Sequence, residues 1–159
     1  MSVRSSGILL YRYENRALQV MLAHPGGPFW SKRDDGAWSI PKGMAAEGEE
    51  PLAAAKREFE EETGHAIVGD FIDLGELKQP SGKIVHAWAL ESDFDVETLE
   101  SNTFTLEWPK HSGKVRAYPE IDRAAWFGTD EAKTKILKGQ AAFLDRLAEI
   151  VGYVPPAAP

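Results

Sequence analysis

The spacing of apolar residues changes several times along the chain, and each change marks an element. Ser6 to Tyr13 and Ala17 to His24 are apolar runs rich in β-formers, separated by Glu14-Asn15-Arg16, and they predict a hairpin. His24 to Gly36 (HPGGPFWSKRDDG) is a loop by its glycines and prolines. Pro51 to Thr63 follows the helical period. Asp70 to Leu77 and Lys83 to Leu90 read as strands around the turn Gln79-Pro80-Ser81-Gly82. An acidic loop follows, then a short strand near Thr103 to Trp108, a polar loop to Glu120 and a strand around Ala124 to Phe127. A helix from about Asp130 closes the chain, with Phe143, Leu144, Leu147, Ile150 and Val151 on one face. Strands interrupted by one mid-chain and one terminal helix predict an α/β sandwich with a mixed sheet in a single domain spanning 1–159, with 1–4 and 152–159 frayed.

The mid-chain helix carries the most information. Pro51 suits the first helical position, where its missing N–H is no loss, and Gly64 suits the left-handed residue that ends a helix. At about 100° per residue, Leu52, Ala55, Phe59 and Thr63 form the stripe that packs on a sheet. Glu58, Glu61 and Glu62 stand at i, i+3 and i+4, so their carboxylates converge beside that stripe. On the same geometry Lys56 and Arg57 point elsewhere, leaving three like charges unrelieved. Hard divalent cations with oxygen ligands would resolve that conflict.

Charge sharpens this picture. The formal net charge is −7, which argues against a general nucleic-acid binder. Between Lys42 and Gly64 seven glutamates face only Lys42, Lys56 and Arg57, so more than half of the net charge sits in a seventh of the chain. Such a cluster repels a phosphorylated substrate unless cations come between them. With no cysteine, disulfides, thiolate metal sites and a cysteine nucleophile are excluded. No apolar run approaches 18 residues and no secretory leader is legible, so the expectation is a cytoplasmic protein without a membrane span.

An EFEEE run alone most often faces water. Here it sits in a fixed frame: Gly43, Glu49, Arg57, Glu58, Glu61, Glu62 and Gly64 at set spacings, with Phe59 at an apolar position. The stretch Gly43–Gly64 resembles the Nudix signature, G-x5-E-x7-R-E-U-x-E-E-x-G-U, where U is a bulky apolar residue. Seven fixed positions at about 7% usage each match by chance roughly once in 10⁸ windows, which decides against the solvated-helix reading. One position departs: His65 stands where the final apolar residue belongs, which puts local packing in doubt, with a metal-ligand role for His65 as the less favoured alternative.

The resemblance implies a Nudix-type α/β/α sandwich and a hydrolase that binds Mg²⁺, or Mn²⁺, through Glu58, Glu61, Glu62 and the Gly43 carbonyl. It makes Glu58 a candidate base, pairs Arg57 with Glu49 as a brace, and suggests an assisting carboxylate downstream, for which Glu120 in Tyr-Pro-Glu-Ile is the candidate. In that chemistry the metals bridge phosphate oxygens and activate water for attack at phosphorus. All four signature glutamates and Arg57 are present, which favours an enzyme over a non-catalytic nucleotide-binding module. The expected substrate is a nucleoside polyphosphate, either a nucleoside triphosphate or a dinucleoside polyphosphate, with nucleotide sugars and RNA 5′ ends as alternatives. Lys42 is a candidate phosphate contact, and Phe29, Trp30 and Trp88 are candidate base-stacking groups, with core packing as the favoured reading of each aromatic because five tryptophans must mostly be structural. Arg33, with Lys32, Lys110, Lys114 or Arg116, is a candidate for distal phosphates. His86 reads as a satisfied interior histidine. The expected partner is a small-molecule nucleotide without stable nucleic-acid binding, and the protein is a monomer or homodimer.

Overall fold

A computed structural model describes residues 3–155. Strand β1 (Arg4–Glu14) turns through Asn15 and Arg16, both at positive φ, into β2 (Ala17–Pro25). This is the two-residue reversal that suits the twist of a hairpin. A short β3 (Lys42–Met44) precedes helix α1 (Pro51–Thr63), and β4 (Ile72–Lys78) and β5 (Ile84–Glu91) follow. Then come β6 (Thr103–Glu107), β7 (Val115–Pro119), β8 (Ile121–Gly128), α2 (Thr129–Lys135) and α3 (Ala142–Val151). The main sheet runs β4-β5-β1-β2-β8 with β3 also on β1, and β6-β7 form a separate two-stranded ribbon. β1 and β5 are parallel and the other pairs antiparallel, so the sheet is mixed, as expected.

Both faces of the sheet are covered, which explains the unbroken apolar runs of β1 and β2. Ile8 and Leu10 point to one side, where Ala55 and Phe59 of α1 close a core. Leu9 and Tyr11 point to the other, against Ala132 of α2 and Phe143, Leu144 and Leu147 of α3. The α/β/α sandwich is therefore the observed architecture. Gly64 ends α1 in the left-handed conformation (φ 81°), its N–H donating to the Glu60 carbonyl at 2.8 Å. Among the described residues no helix is long and apolar enough to cross a membrane.

The differences from expectation have local causes. The terminal helix is not continuous: Ile136 and Leu137 are extended, because Trp38 N–H donates to the Lys135 carbonyl (3.0 Å) and Leu137 N–H to that of Trp38 (2.7 Å). Ile150 faces solvent rather than the core. The polar loop before Glu120 contains β7, paired with β6 in the register Phe104↔Tyr118. Of the stretches expected to fray, Arg4 already belongs to β1, and Tyr153 packs half-buried with its N–H on the Ala148 carbonyl; residues 1–2 and 156–159 lie outside the described residues.

Candidate active site

The cleft arises because β1 shares one edge between two partners. Tyr11 to Glu14 pair with β2, whereas Ser5 to Gly7 pair with β3. The segment from Trp38 to Lys42 runs between them as a wedge, bridging to β2 at Ala23↔Ser39 and receiving the Ile8 N–H on the Pro41 carbonyl at 3.1 Å. Gly7 permits that approach, since a Cβ there would lie 2.8 Å from the Pro41 oxygen. Buried Gln140 holds the wedge from the far layer, accepting the Ile40 N–H at 3.1 Å and donating to Ser39 Oγ at 3.0 Å. The strands part beyond this point and leave a cavity of about 270 Å³, lined among others by Trp30, Ser39, Lys42, Glu62, Glu120 and Ile121.

Helix α1 presents Glu62 to this cleft, with Glu58 close enough to act on its charge. Glu62 Oε2 accepts the Lys42 N–H at 2.9 Å. Burial pushes the Glu62 carboxyl up to about 8, and neighbouring Glu58 and Glu120 add to the rise while Lys42 opposes it. Burial likewise raises Glu58 and lowers Lys42. Gly43 lies against Glu58 so closely that a Cβ would fall 2.0 Å from its carboxyl carbon, so the loop backbone and that carboxylate share one space only because residue 43 is glycine.

Arg57 does not point elsewhere, and this corrects the helical-wheel reading. Its Nε and Nη2 grip both oxygens of Glu49 at 2.9 and 3.0 Å, and Nη1 lies between Glu58 (3.0 Å) and Glu61 (3.1 Å). Nη2 also donates to the Met44 carbonyl at 3.0 Å. The brace to Glu49 is thus present, and the same guanidinium neutralises part of the acidic arc. As arranged, among the described residues no three acidic or histidine groups converge on one point to hold a metal. The donor set nevertheless fits a hard cation: carboxylates of Glu58, Glu61 and Glu62 with the Gly43 backbone beside them, including a half-buried Glu62 whose charge is disfavoured first by desolvation and then by Glu58.

Glu120 joins the cleft from the opposite side, between β7 and β8, with its N–H on the Asn102 carbonyl and its own carbonyl accepting from Gly26, both at 2.9 Å. Trp30 lines the cavity; Phe29 is half exposed and meets it edge to face at 5.1 Å, and the Arg33 guanidinium lies 4.4 Å over the Phe29 ring. Lys110, Lys114 and Arg116 are exposed on the β6-β7 ribbon. Trp88 is the correction among the aromatics: it is 7% exposed and packs with Phe59 under α1, so it offers no open face to a base. His86 does share its face, stacked on it at 3.9 Å, but is half-buried rather than interior and pairs with Asp73 at 2.6 Å.

Sequence reasoning missed three contributors. His24 is wholly buried and ties the loop that carries Trp30 to β8, with Nδ1 on Asp122 (2.9 Å) and Nε2 on the Arg33 carbonyl (2.6 Å). Phe104 and Leu106 reach a second cavity beside the first. Their alternation in Phe104-Thr-Leu106 was the available signal. His65 packs edge to face on Phe94 at 4.9 Å and bonds Thr98 Oγ1 at 2.9 Å, while Ile67 supplies the apolar contact to the α1 core. His65→Leu is therefore expected to leave stability within about 1 kcal/mol, read by urea denaturation, and to leave unchanged whatever Mg²⁺ requirement the chain has. A rise in such a requirement, read by titrating the ion, would make His65 a ligand instead.

The NUDIX domain profile matches residues 1–147. No curated protein sequence matches the chain. Among solved structures, the NUDIX domain of Shewanella oneidensis NrtR complexed with ADP ribose is similar at 13% identity, covering 95% of this chain and 89% of that one (TM-score 0.67). A C. elegans Ap4A hydrolase is similar at 18% identity, covering 94% and 98% (TM-score 0.61). A mutT/nudix family protein from Listeria innocua is similar at 18% identity, covering 94% of each (TM-score 0.62). At such identities the likeness speaks to the fold, and the profile match speaks to descent. With the signature laid over the loop and helix that frame the cleft, the chain belongs to the Nudix family.

Proposed function

We propose that this chain is a Mg²⁺-dependent pyrophosphohydrolase that cleaves a phosphoanhydride bond of a nucleoside polyphosphate. The observation that carries the reading is the meeting of Glu62, Glu120 and Lys42 at one cleft, with Glu58 beside Glu62, so that carboxylates outnumber Lys42 there even with Arg57 paired to Glu58. Mg²⁺ held by Glu58, Glu61, Glu62 and the Gly43 carbonyl would neutralise phosphate charge and make water a stronger nucleophile. Lys42 draws a phosphate oxygen toward the buried end of the cleft. The Glu58 carboxylate, whose proton affinity burial raises, takes the proton of the attacking water. The water oxygen bonds to phosphorus, the anhydride P–O bond breaks, and the leaving phosphate departs with the electron pair. Arg57 touches no substrate; it keeps Glu58 and Glu61 in place against the Glu49 loop. Ap4A, in the name of one structural neighbour, is a dinucleoside polyphosphate and supports the substrate class, whereas ADP ribose, bound by another, is a nucleotide sugar and keeps that alternative in the test; both contain a phosphoanhydride.

The test is a panel of nucleoside triphosphates, dinucleoside polyphosphates, nucleotide sugars and 5′-triphosphorylated RNA, with and without Mg²⁺, with products identified in ¹⁸O-labelled water. The expected result is Mg²⁺-dependent release of a nucleoside monophosphate. Release of inorganic phosphate alone would count against attack within an internal anhydride. Tight nucleotide binding with no turnover across the panel would make the chain a binding module.

A further inference from the structure

Beside the phosphate-facing cavity lies a second of about 260 Å³, enclosed between the turn Pro25–Trp30 and the β6-β7 ribbon. The two share Pro25, Trp30 and Glu120, so they are neighbouring chambers of one cleft, and together they fall in the roughly 300–1,000 Å³ range of small-molecule sites. Their chemistry differs. The first holds Lys42, Glu62 and Ser39; the second is walled by Phe29, Trp30, Phe104 and Leu106, with Glu120 at the boundary as its charged group among the described residues. An apolar, aromatic chamber without a cation does not suit phosphate, but it suits a flat heteroaromatic ring.

The second chamber is shaped by the backbone rather than left over between loops. A Cβ at Gly26 would sit 1.9 Å from the Pro119 carbonyl oxygen, and one at Gly27 (φ 95°) would sit 3.0 Å from Phe104 Cζ. Two consecutive glycines thus let the β2 turn close directly onto the ribbon. The ribbon in turn is rooted on the helix that carries the acidic arc. Glu100 N–H donates to the Thr63 carbonyl (2.9 Å), Asn102 N–H to that of Glu61 (2.8 Å), and Glu120 N–H returns to that of Asn102 (2.9 Å). The chamber therefore has a fixed position relative to Glu62. Phe104 and Leu106 fall on one face of β6, and exposed Thr105 falls on the other.

We infer that this second chamber binds the nucleobase of the substrate, with Phe104, Leu106 and Trp30 as the specificity-determining contacts and Glu120 at the junction between base and phosphates. The inference rests on the nucleotide substrate proposed above and assigns where its base sits.

The experiment separates the two claims by measuring binding apart from turnover. The α,β-methylene analogues of ATP, GTP, CTP and UTP, with inorganic tripolyphosphate as the base-free probe, are titrated into the full chain in Mg²⁺ by calorimetry. Phe104→Ala, Leu106→Ser and the opposite-face control Thr105→Ala are titrated in the same way. At least one analogue is expected to bind the unmodified chain. Phe104→Ala and Leu106→Ser should weaken it about 10-fold or more, leave tripolyphosphate affinity within about 2-fold, and Thr105→Ala should change neither. Binding of none of the four analogues, unchanged affinity in both chamber variants, or equal weakening of analogue and tripolyphosphate would overturn the base assignment. Hydrolysis of the parent nucleotides is followed in parallel. Turnover with unaltered affinity in the variants sinks the base chamber and keeps the enzyme; base-dependent binding without turnover keeps the chamber and sinks the enzyme.

Discussion

Glu62→Gln is expected to lower Mg²⁺-dependent turnover by about 10²-fold or more while making the metal-free protein less sensitive to rising pH. The first effect follows from removing a carboxylate oxygen that the proposed function assigns to the metal. The second follows from where that carboxyl sits. In the folded chain burial holds it up to about 8, against 4.5 as its ordinary value, so the folded state binds its proton more tightly than the unfolded state does. A carboxyl raised in this way leaves the fold most stable at low pH, and stability falls as pH climbs from about 4.5 toward 8. Glu58, raised in the same direction and for the same first reason, adds to the slope. Each unit of displacement corresponds to about 1.4 kcal/mol, so the loss across the window is on the order of a few kcal/mol. Urea denaturation in EDTA at pH 5.5 and pH 8 measures it. The unmodified chain should lose stability between those values, and Glu62→Gln should lose distinctly less. An equal loss in both would place the titrating group elsewhere. Mg²⁺ at pH 8 should recover the unmodified chain more than the variant, because the ion stabilises the form that carries the charge.

Arg57→Ala is expected to reduce turnover by about 10- to 100-fold without touching any atom that reacts. The guanidinium spans three carboxylates and one carbonyl, and deleting it frees Glu49 from the loop and leaves Glu58 and Glu61 to repel each other. Arg57 is partly exposed, so water screens the lost ion pairs and the stability cost should stay near 1–2 kcal/mol. Arg57→Lys should recover little, since a single ammonium cannot occupy the Nε–Nη2 fork on Glu49 and also lie between Glu58 and Glu61. The discriminating measurement is kcat against Mg²⁺ concentration: displaced ligands should raise the Mg²⁺ needed for half-maximal rate. Full rescue by lysine would mean that only the charge matters and the fork does not.

The helix at the centre of the site was legible because its signals are local. Pro51 and Gly64 mark its ends within the segment itself, and the stripe of Ala55, Phe59 and Thr63 needs only the helical period to be seen. The direction of Arg57 was not legible, because a helical wheel gives the departure of a Cβ and not the reach of a long side chain that folds back over the next turn. Trp88 was assigned the right strand, but whether it stacks on a base or packs in the core was not legible, since only the placement of α1 above β5 determines that its face is covered. β7 escaped notice because Val115, Arg116 and Ala117 are all exposed and carry no alternation. The break after Lys135 has no local signature either; it is imposed by pairing with Trp38, almost a hundred positions earlier. What the chain encodes nearby could be read, and what it encodes by long-range contact could not.

The β6-β7 ribbon is hydrogen-bonded as a sheet of its own, outside the strand order that carries the core. Its roots at Glu100, Asn102 and Glu120 are held through backbone hydrogen bonds to α1, to the β2 turn and between Asn102 and Glu120 themselves. Residues between Thr103 and Pro119 can therefore be lengthened, shortened or repatterned without shifting the register of the main sheet or the spacing of the signature. Selection is free to explore this segment while the chemistry beneath it stays fixed, so divergence among relatives should concentrate in the ribbon and spare its roots.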